Sequence, residues 1–208
     1  MLYLNCDFPL GKSVVWHGKT NIIDTQFLFE YLQSLKYEKG DYKGRDIRRE
    51  QRWYHTDGKY FNHKWQRYKR WESFKYTPIL RFIQERINYF VKHIIQPKQF
   101  WKSNSILINR YINGGNVIPK HRDSEDVFGD NPIIVVYSIG ASRTIRFTRV
   151  GLYSNAHIKG EEVIDVRLND GDLLIMSGTV QKYYVHEILK ETTDIGERFS
   201  LTFRVHKL

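Results

Sequence analysis

The spacing of hydrophobic residues changes along the chain from a helical period to a strand period. Between residues 24 and 96, two segments repeat apolar positions every three or four residues, as amphipathic helices do. From residue 105 onward, short apolar or alternating segments are separated by turns rich in Gly and Asn, as in β-structure. The pattern predicts two helices in the first half of the chain and a mainly β second half.

Both predicted helices have recognisable starts. The first begins at Asp24 or Thr25, either of which can cap it, and extends to about residue 36. The second begins with Thr77 as the cap and Pro78 in the first turn, and it ends before Pro97. The residues expected to face the core are Phe27, Leu28, Tyr31, Leu32 and Leu35 in the first helix, and Ile79, Ile83, Ile87, Phe90, Val91 and Ile94 in the second.

The β-structure is predicted as short strands with turn signals between them. These strands cover residues 2–4, 13–16, 105–111, 132–139, 143–150, 163–168, 172–176, 182–188 and 198–205. Many short strands imply a sandwich or jelly roll, and the two helices would pack on one of its sheets, giving an α+β fold. No repeat or linker divides the chain, so residues 1–208 are expected to form a single domain.

Composition indicates the cellular compartment of the protein more clearly than its activity. The single cysteine, Cys6, excludes an internal disulfide and favours a reducing compartment. No apolar run approaches the ~20 residues that span a membrane, and the N-terminus lacks the features of a signal peptide. We expect an intracellular monomer, nuclear or cytoplasmic, without a membrane partner. The abundance of Lys, Ile, Asn and Tyr is typical of AT-rich genomes, including viral ones.

Positive charge is concentrated between residues 36 and 75. This segment has 13 Lys or Arg against 6 Asp or Glu, so it carries +7 of the chain's +10. It also contains 10 aromatic residues, among them Trp53, Trp65 and Trp71. Cations interleaved with rings are typical of nucleic-acid-binding surfaces, because the cations contact phosphates and the rings stack on bases. The alternative is a solvated basic face whose rings complete the core. The segment is predicted to form loops and a hairpin.

A histidine and an aspartate one residue apart provide the first candidate chemistry. In an extended chain, His121 and Asp123 point to the same side, so both can reach one metal ion. His186, in a later strand, can supply a third ligand from a neighbouring strand. Two histidines and one carboxylate with open positions are the ligands of non-haem Fe(II) oxygenases. A lone histidine is more often structural, which leaves the following unassigned: His17, His93, His157 and His206.

The last predicted strand carries two arginines on one face. Arg198 and Arg204 share that face with Ser200 and Thr202, whereas three apolar side chains point the other way. Two inward arginines would be costly without anions to pair with, and a dicarboxylate would satisfy both. The alternative is an outer, solvated face.

Separated motifs, in order, resemble the AlkB family of Fe(II)/2-oxoglutarate-dependent dioxygenases, in particular the DNA-repair type found in eukaryotes. They are Asn-Arg-Tyr-Ile-Asn-Gly-Gly at 109–115, His-Arg-Asp-Ser-Glu at 121–125, Pro-Ile-Ile at 132–134 with Ser-Ile-Gly-Ala-Ser-Arg at 138–143, Gly-Asp-Leu-Leu-Ile-Met at 171–176 leading to His186, and Arg-Phe-Ser-Leu-Thr-Phe-Arg at 198–204. Ser200 stands where the family usually has asparagine. The similarity covers residues 104–205 and implies a catalytic core folded as a double-stranded β-helix, or jelly roll.

The resemblance implies a cofactor, cosubstrates and a reaction. Fe(II) would be held by His121, Asp123 and His186. 2-Oxoglutarate would lie against Asn109, Tyr111, Arg198, Thr202 and Arg204. With O2, the family hydroxylates an alkyl group on a damaged base, and the hydroxylated group leaves as an aldehyde. The implied partner is DNA or RNA that carries alkylated bases.

The resemblance also implies contacts with the damaged base. Ser124 and Glu125 follow the metal strand, where the family contacts that base. Residues 36–75 resemble the family's nucleotide-recognition lid, although the Pro-Arg that precedes the lid tyrosine is missing here. The candidate lid contacts are Arg52, Trp53, Tyr54, Tyr60 and Phe61. Tyr60, Phe61 or His63 could stack on a flipped base opposite His121, with core packing or exposure as the alternative for each.

Three functions of different kinds remain open from the sequence. The first is a dealkylase of bases in DNA or RNA. The second is a dioxygenase of the same chemistry that hydroxylates a protein or makes another nucleic-acid modification. The third is a nucleic-acid-binding module that keeps the fold without catalysis, against which the intact metal and anion residues argue. The basic aromatic segment favours the first function, because a protein hydroxylase has no need of it.

Overall fold

Two β-sheets packed face to face form the core of the computed structural model, which describes residues 5–7, 13–42, 45–59, 72–94, 101–151, 162–193 and 195–207. The larger sheet comprises β1 (Asn5–Asp7), β2 (Val14–Lys19), β3 (Glu38–Tyr42), β4 (Arg45–His55), β5 (Ser105–Tyr111), β7 (Ile134–Gly140), β10 (Asp172–Ser177) and β12 (Arg198–Arg204). Its eight strands lie in the order β1-β2-β10-β7-β12-β5-β4-β3, and each neighbouring pair is antiparallel.

The smaller sheet comprises β6 (Ile118–His121), β8 (Arg143–Arg149), β9 (Val163–Leu168) and β11 (Tyr184–Ile188). Its order is β6-β11-β8-β9, again antiparallel throughout. The tight turn between β7 and β8 depends on Gly140, whose φ is +87°. A Cβ at this position would lie 2.6 Å from the carbonyl oxygen of Glu197, so only glycine fits.

The two predicted helices form with the predicted caps. Helix α1 (Thr25–Ser34) is capped by Asp24, whose carboxylate accepts from the Phe27 amide at 2.7 Å. Helix α2 (Pro78–Ile94) begins after Thr77, whose hydroxyl accepts from the Leu80 amide at 3.3 Å. Two short helices, α3 (Glu125–Phe128) and α4 (Val180–Tyr183), were not predicted.

Each face of the larger sheet buries a separate apolar cluster. On the outer face, Leu28 and Leu32 of α1 and Ile83 and Ile87 of α2 join alternate residues of the central strands. On the inner face, the remaining strand residues meet those of the smaller sheet. The predicted α+β jelly roll with both helices on one sheet is therefore confirmed. Phe27 was expected in the core, but it is exposed because it lies on the far side of α1.

The basic segment contributes more regular structure than the sequence suggested. Strands β3 and β4 form the predicted hairpin, but β4 is 11 residues long and pairs with β5 as part of the larger sheet. Both faces of β4 carry charged side chains, and this hides the alternation of apolar and polar residues that predicts a strand. The face that points inward covers a cavity between the sheets, and Arg49 and Gln51 point into that cavity. Residues 60–71 of this segment lie outside the described part of the chain. Within that part, no helix is both long and apolar enough to span a membrane.

Candidate active site

A cavity of about 250 Å³ lies between the two sheets. Its floor and one wall come from β4, β5 and β12 of the larger sheet, and the opposite wall comes from β6 and β11 of the smaller sheet. Because side chains alternate along a strand, β4, β5 and β12 each send every second residue into the cavity. The lining combines arginine, histidine, amide, hydroxyl and carboxylate side chains with aliphatic and aromatic ones.

The two candidate histidine ligands face each other across neighbouring strands. His121 on β6 pairs directly with His186 on β11, and their ring centroids are 4.3 Å apart. Asp123 follows β6 by two residues and is buried beside them. All three side chains line the same cavity. The structure thus brings together the three residues that the His-x-Asp spacing and the later strand suggested.

The electrostatics of these residues favour the protonation states that bind metals. Burial lowers the pKa of His186 to about 3, with the neighbouring His121 adding to the shift. Burial also lowers the pKa of His121. For Asp123, burial alone would raise the pKa, but Arg204 and the two histidines outweigh it and hold the pKa below its usual value. Two neutral imidazoles and one carboxylate are the required ligand forms.

Two atoms of this group fit a bound cation. Asp123 Oδ2 and His186 Nδ1 are buried without a hydrogen-bond partner, which is unusual unless another group satisfies them. Asp123 Oδ1 instead accepts from Arg204 at 2.8 Å. In the described part of the chain, no three His, Cys, Asp or Glu side chains come close enough to form a complete metal site in this structure. The donor types fit Fe(II), and the role of the three residues as ligands stays a prediction.

Gln181 holds the backbone next to the candidate carboxylate ligand. Its side-chain oxygen accepts from the Asp123 amide at 2.9 Å, and the residue is 2% exposed. Gln181 belongs to α4, the short helix that leads into β11 and His186. No local pattern predicts this hydrogen bond, because it joins residues 58 positions apart in the chain.

Strand β12 presents its two arginines to the cavity, as its alternation predicted. Arg198 is completely buried, and Ser200 and Thr202 are nearly so. The alternate residues Phe199, Leu201 and Phe203 pack into the outer cluster, which excludes a solvated face. Arg198 Nε donates to Ser138 at 3.0 Å, whereas the two buried terminal nitrogens have no partner among the described residues other than the Tyr111 side chain. A buried guanidinium with unused donors fits a carboxylate.

The remaining candidates for 2-oxoglutarate come from β5 and complete this wall. Asn109 Oδ1 accepts from Arg49 and from Gln51, both at 2.9 Å, so its amide is fixed in one orientation. The buried Tyr111 hydroxyl has no partner among the described residues other than Arg198, whose guanidinium lies 5.0 Å from the centre of the tyrosine ring. Together with Thr202 and Arg204, all five predicted residues line the cavity.

The candidate lid residues on β4 divide between two faces. Trp53 lines the cavity, together with Arg49 and Gln51. Arg52 and Tyr54 point the opposite way: Tyr54 is part of the outer core cluster, and Arg52 donates to its hydroxyl at 2.6 Å. The structure therefore does not bring Arg52 and Tyr54 to the cavity as expected, because neighbouring residues of a strand point to opposite faces.

The other substrate candidates differ in position. Ser124 lines the cavity beside Asp123. Glu125 lines a neighbouring pocket instead, where its carboxylate accepts from the Asn131 amide at 2.8 Å and lies 3.7 Å from Lys182 Nζ. Glu125 thus fixes the loop that follows β6. Tyr60, Phe61 and His63 lie outside the described residues.

An aromatic wall at one side of the cavity was missed from the sequence. Trp53 and His206 stack with ring centroids 5.2 Å apart and an interplanar angle of 28°. Phe128 meets His206 edge-on at 4.8 Å. Burial lowers the pKa of His206 to about 3, with Arg204 adding to the shift. Because these rings come from three distant parts of the chain, only their positions in the fold reveal the wall.

Two solved structures share this fold. One is described as the structure of OsALKBH1, with a TM-score of 0.61, 14% identity, and coverage of 90% of this chain and 97% of that one. The other is an oxidoreductase of the 2OG-Fe(II) oxygenase family from Burkholderia pseudomallei, with a TM-score of 0.60, 15% identity, and coverage of 93% and 88%. At these identities the similarity supports the jelly-roll fold alone.

Sequence relatives extend the similarity to AlkB proteins. The chain is 33% identical to the human alpha-ketoglutarate-dependent dioxygenase alkB homolog 3 over 128 residues, which are 61% of this chain and 42% of that protein. It is 27% identical to the DNA oxidative demethylase ALKBH2 of Arabidopsis thaliana over 117 residues, 49% of this chain and 37% of that protein. The chain spans less than half the length of these relatives. The similarity to AlkB proteins that the motifs indicated is confirmed.

A family model covers nearly the whole jelly roll and both helices. The model of the 2OG-Fe(II) oxygenase superfamily matches residues 23–204, from just before α1 to the end of β12. The match includes all the candidate metal ligands and all the residues expected to contact 2-oxoglutarate. The chain belongs to the 2OG-Fe(II) oxygenase superfamily, which implies Fe(II) as cofactor and 2-oxoglutarate and O2 as cosubstrates.

Proposed function

We propose that this chain removes alkyl groups, above all methyl groups, from damaged bases of DNA or RNA by Fe(II)- and 2-oxoglutarate-dependent oxidation. One observation carries the proposal: the cavity that contains His121, Asp123 and His186 also contains two arginines of β12. A dioxygenase with a dicarboxylate cosubstrate requires metal ligands and anion-binding arginines in one cavity.

The residues have separable tasks in this reaction. His121, Asp123 and His186 would hold Fe(II), and Arg198 would pair with the distal carboxylate of 2-oxoglutarate. When bound, Fe(II) activates O2 with 2-oxoglutarate, which ends as succinate and CO2, while one oxygen atom enters a C–H bond of the substrate. A hydroxymethyl group on a base nitrogen then leaves as formaldehyde, and the nitrogen regains a proton.

Arg204 keeps the carboxylate of Asp123 in its ionised form. Its guanidinium lies 2.8 Å from Asp123 Oδ1 and is one of the groups that lower the pKa of that carboxyl. An ionised carboxylate is the form that binds a divalent cation. Asn109 and Thr202 line the same wall and offer polar groups to the cosubstrate. Trp53 and Phe128 contribute apolar rings to the lining of the same cavity.

Three observations support a nucleic-acid substrate. The segment 36–75 combines +7 net charge with 10 aromatic residues, as expected for contacts with phosphates and bases. The wall formed by Trp53, His206 and Phe128 offers flat apolar surface next to the metal group. The Arabidopsis relative is named a DNA oxidative demethylase. A base presented to this cavity would have to be flipped or single-stranded.

The experiment that tests the proposal measures succinate formation with different substrates. Methylated single-stranded DNA and RNA should each be compared with the unmethylated oligonucleotide and with protein extracts freed of nucleic acid. We expect methylated oligonucleotides to stimulate succinate formation and to release formaldehyde in equal amount. Stimulation by the protein fraction alone would favour the protein hydroxylase and contradict the proposal. The ratio of the DNA and RNA rates decides which nucleic acid is preferred.

A further inference from the structure

Arg143, at the start of β8, is a completely buried arginine that the reaction described above does not use. Its guanidinium lies 5.4 Å from the centre of the Tyr111 ring, and the guanidinium of Arg198 lies 5.0 Å from the same centre. Two cations with no exposed surface therefore share one aromatic ring at the Tyr111 end of the cavity. Such an arrangement needs an explanation, since each buried charge carries a desolvation cost of several kcal/mol.

All the hydrogen-bond acceptors of Arg143 are uncharged. Its terminal nitrogens donate to the carbonyl oxygens of Asn113, Gly114, Asn116 and Leu189, the Asn116 bond being 2.6 Å long. Within the described residues, no carboxylate forms an ion pair with it. The carboxylate of Glu191 raises the pKa of Arg143 only as a more distant charge, and it forms an ion pair with Arg167. The positive charge of Arg143 thus remains uncompensated, because arginine does not lose its proton in proteins.

These bonds also fix the turn that follows Tyr111. The Gly114 carbonyl accepts from the Glu191 amide at 3.0 Å, and a Cβ on Gly114 would lie 2.9 Å from the Glu191 carbonyl oxygen. The turn between β5 and β6 is therefore packed tightly against the chain after β11. Arg143 lies at the centre of this contact and holds Tyr111 in place.

The groups that Arg143 supports have unused hydrogen-bonding capacity. Apart from each other, the buried terminal nitrogens of Arg198 and the Tyr111 hydroxyl have no hydrogen-bond partner among the described residues. A single carboxylate could accept from all three. Arg143 repels the charge of Arg198, so the same field would attract an anion bound there.

We infer that Arg143 is a positioning residue that makes the cavity selective for 2-oxo acids with a second carboxylate. It acts in two ways, by holding Tyr111 against Arg198 and by adding a second positive charge near the distal carboxylate. The inference rests on the proposed placement of 2-oxoglutarate against Arg198. It does not depend on which substrate is oxidised.

The test compares two ligands that differ at the distal end. N-oxalylglycine has both carboxylates of 2-oxoglutarate, whereas pyruvate has the 2-oxo acid end alone. Affinities for the Mn(II)-loaded protein are measured by calorimetry in wild type, Arg143→Met, Arg143→Gln and Arg143→Lys. We expect Arg143→Met to lower the affinity for N-oxalylglycine by at least about tenfold and to leave the affinity for pyruvate within about twofold of wild type. Arg143→Lys, which keeps the charge, should retain most of the selectivity.

Arg143→Gln separates the charge from the support of the turn. Its amide can still donate to the carbonyl oxygens, so this variant should fold even if Arg143→Met does not, and it should lose the same selectivity. Equal weakening of both ligands, or no change in either, would overturn the inference and leave Arg143 a purely structural residue. Arg198→Met is the control for cosubstrate placement. If Arg198→Met and wild type show the same ratio of affinities for the two ligands, 2-oxoglutarate is not placed against Arg198. The inference about Arg143 then fails as well.

Discussion

His121 and His186 are directly opposed on neighbouring antiparallel strands, and their rings are 4.3 Å apart. This pairing fixes two imidazoles through the backbone ladder of β6 and β11 and not through flexible loops. Asp123 needs additional support, because it lies beyond the end of β6. Gln181 and Arg204 supply that support at its amide and its carboxylate. The register of β6 and β11 therefore sets the positions of the two candidate histidine ligands.

Replacing Gln181 by Leu should weaken metal binding without removing a ligand. The buried amide of Asp123 would lose its acceptor, which typically costs about 1–3 kcal/mol, and the backbone would shift to recover one. Thermal unfolding of the metal-free protein measures the stability cost, and Mn(II) titration measures the affinity. Gln181→Glu keeps an acceptor oxygen and is the control for side-chain size. Mn(II) affinity equal to wild type in Gln181→Leu would show that Asp123 is positioned by other groups.

Replacing Arg198 by Lys should raise the KM for 2-oxoglutarate by at least tenfold, or about 1.4 kcal/mol, because an ammonium cannot make the paired contacts of a guanidinium. Arg146→Lys is the matched control, since Arg146 lies on the outer face of β8 and pairs with Asp165 there. Steady-state rates at varied 2-oxoglutarate give the comparison. An unchanged KM in Arg198→Lys would move the anion site elsewhere.

Neighbouring residues of β4 should differ in their effect on nucleic acid. Trp53→Leu removes a ring from the cavity wall and should weaken binding of a methylated oligonucleotide by about 1–3 kcal/mol. Tyr54→Leu removes a ring of similar size from the opposite face, so it should lower stability and leave oligonucleotide affinity unchanged. Fluorescence anisotropy and thermal unfolding measure the two effects. Equal affinities in the two variants would exclude the aromatic wall from substrate binding.

Acid should destabilise the fold partly through His206. The pKa of this buried imidazole is about 3, below its ordinary value of 6.5, so the unfolded chain binds the proton first as the pH falls. The stability that the neutral form contributes is complete above pH 6.5 and is lost as the pH falls towards 3. His206→Phe should reduce the pH dependence of the unfolding free energy in this range by up to about 1.4 kcal/mol per pH unit. Denaturant titrations at several pH values measure it, with exposed His93→Phe as the control.

Local signals in the sequence were enough for the helices, most strands and the placement of His121, Asp123 and His186 in one cavity. Asp24 and Thr77 cap their helices as predicted, and the alternation along residues 198–204 places both arginines inward. The resemblance to AlkB proteins added the roles of these residues. Local signals could not show which residues from distant parts of the chain lie next to one another. Gln181 reaches Asp123, and Arg143 reaches the turn after Tyr111, only because strands far apart in the chain lie side by side.

Two residues that were expected to contact the substrate lie away from the cavity for a different reason. Arg52 and Tyr54 were grouped with Trp53 because the three are consecutive and resemble a lid in composition. Composition does not show whether a segment is a strand, and in a strand neighbours separate to opposite faces. The cavity made the pattern of β4 harder to see, since Arg49 and Gln51 point inward beside Trp53.

Anaerobic titration with Fe(II) tests most directly whether the cavity between the sheets is an iron site. Wild type and the exposed control His93→Ala should each bind one Fe(II) per chain, and 2-oxoglutarate should strengthen that binding. His121→Ala, Asp123→Ala and His186→Ala should each remain folded, because the three side chains line a cavity, and each should lose far more than the 10–100-fold in affinity typical of residues that only support a ligand. Unchanged Fe(II) binding in His186→Ala would contradict the assignment, because iron held without that imidazole must lie elsewhere or use another third ligand.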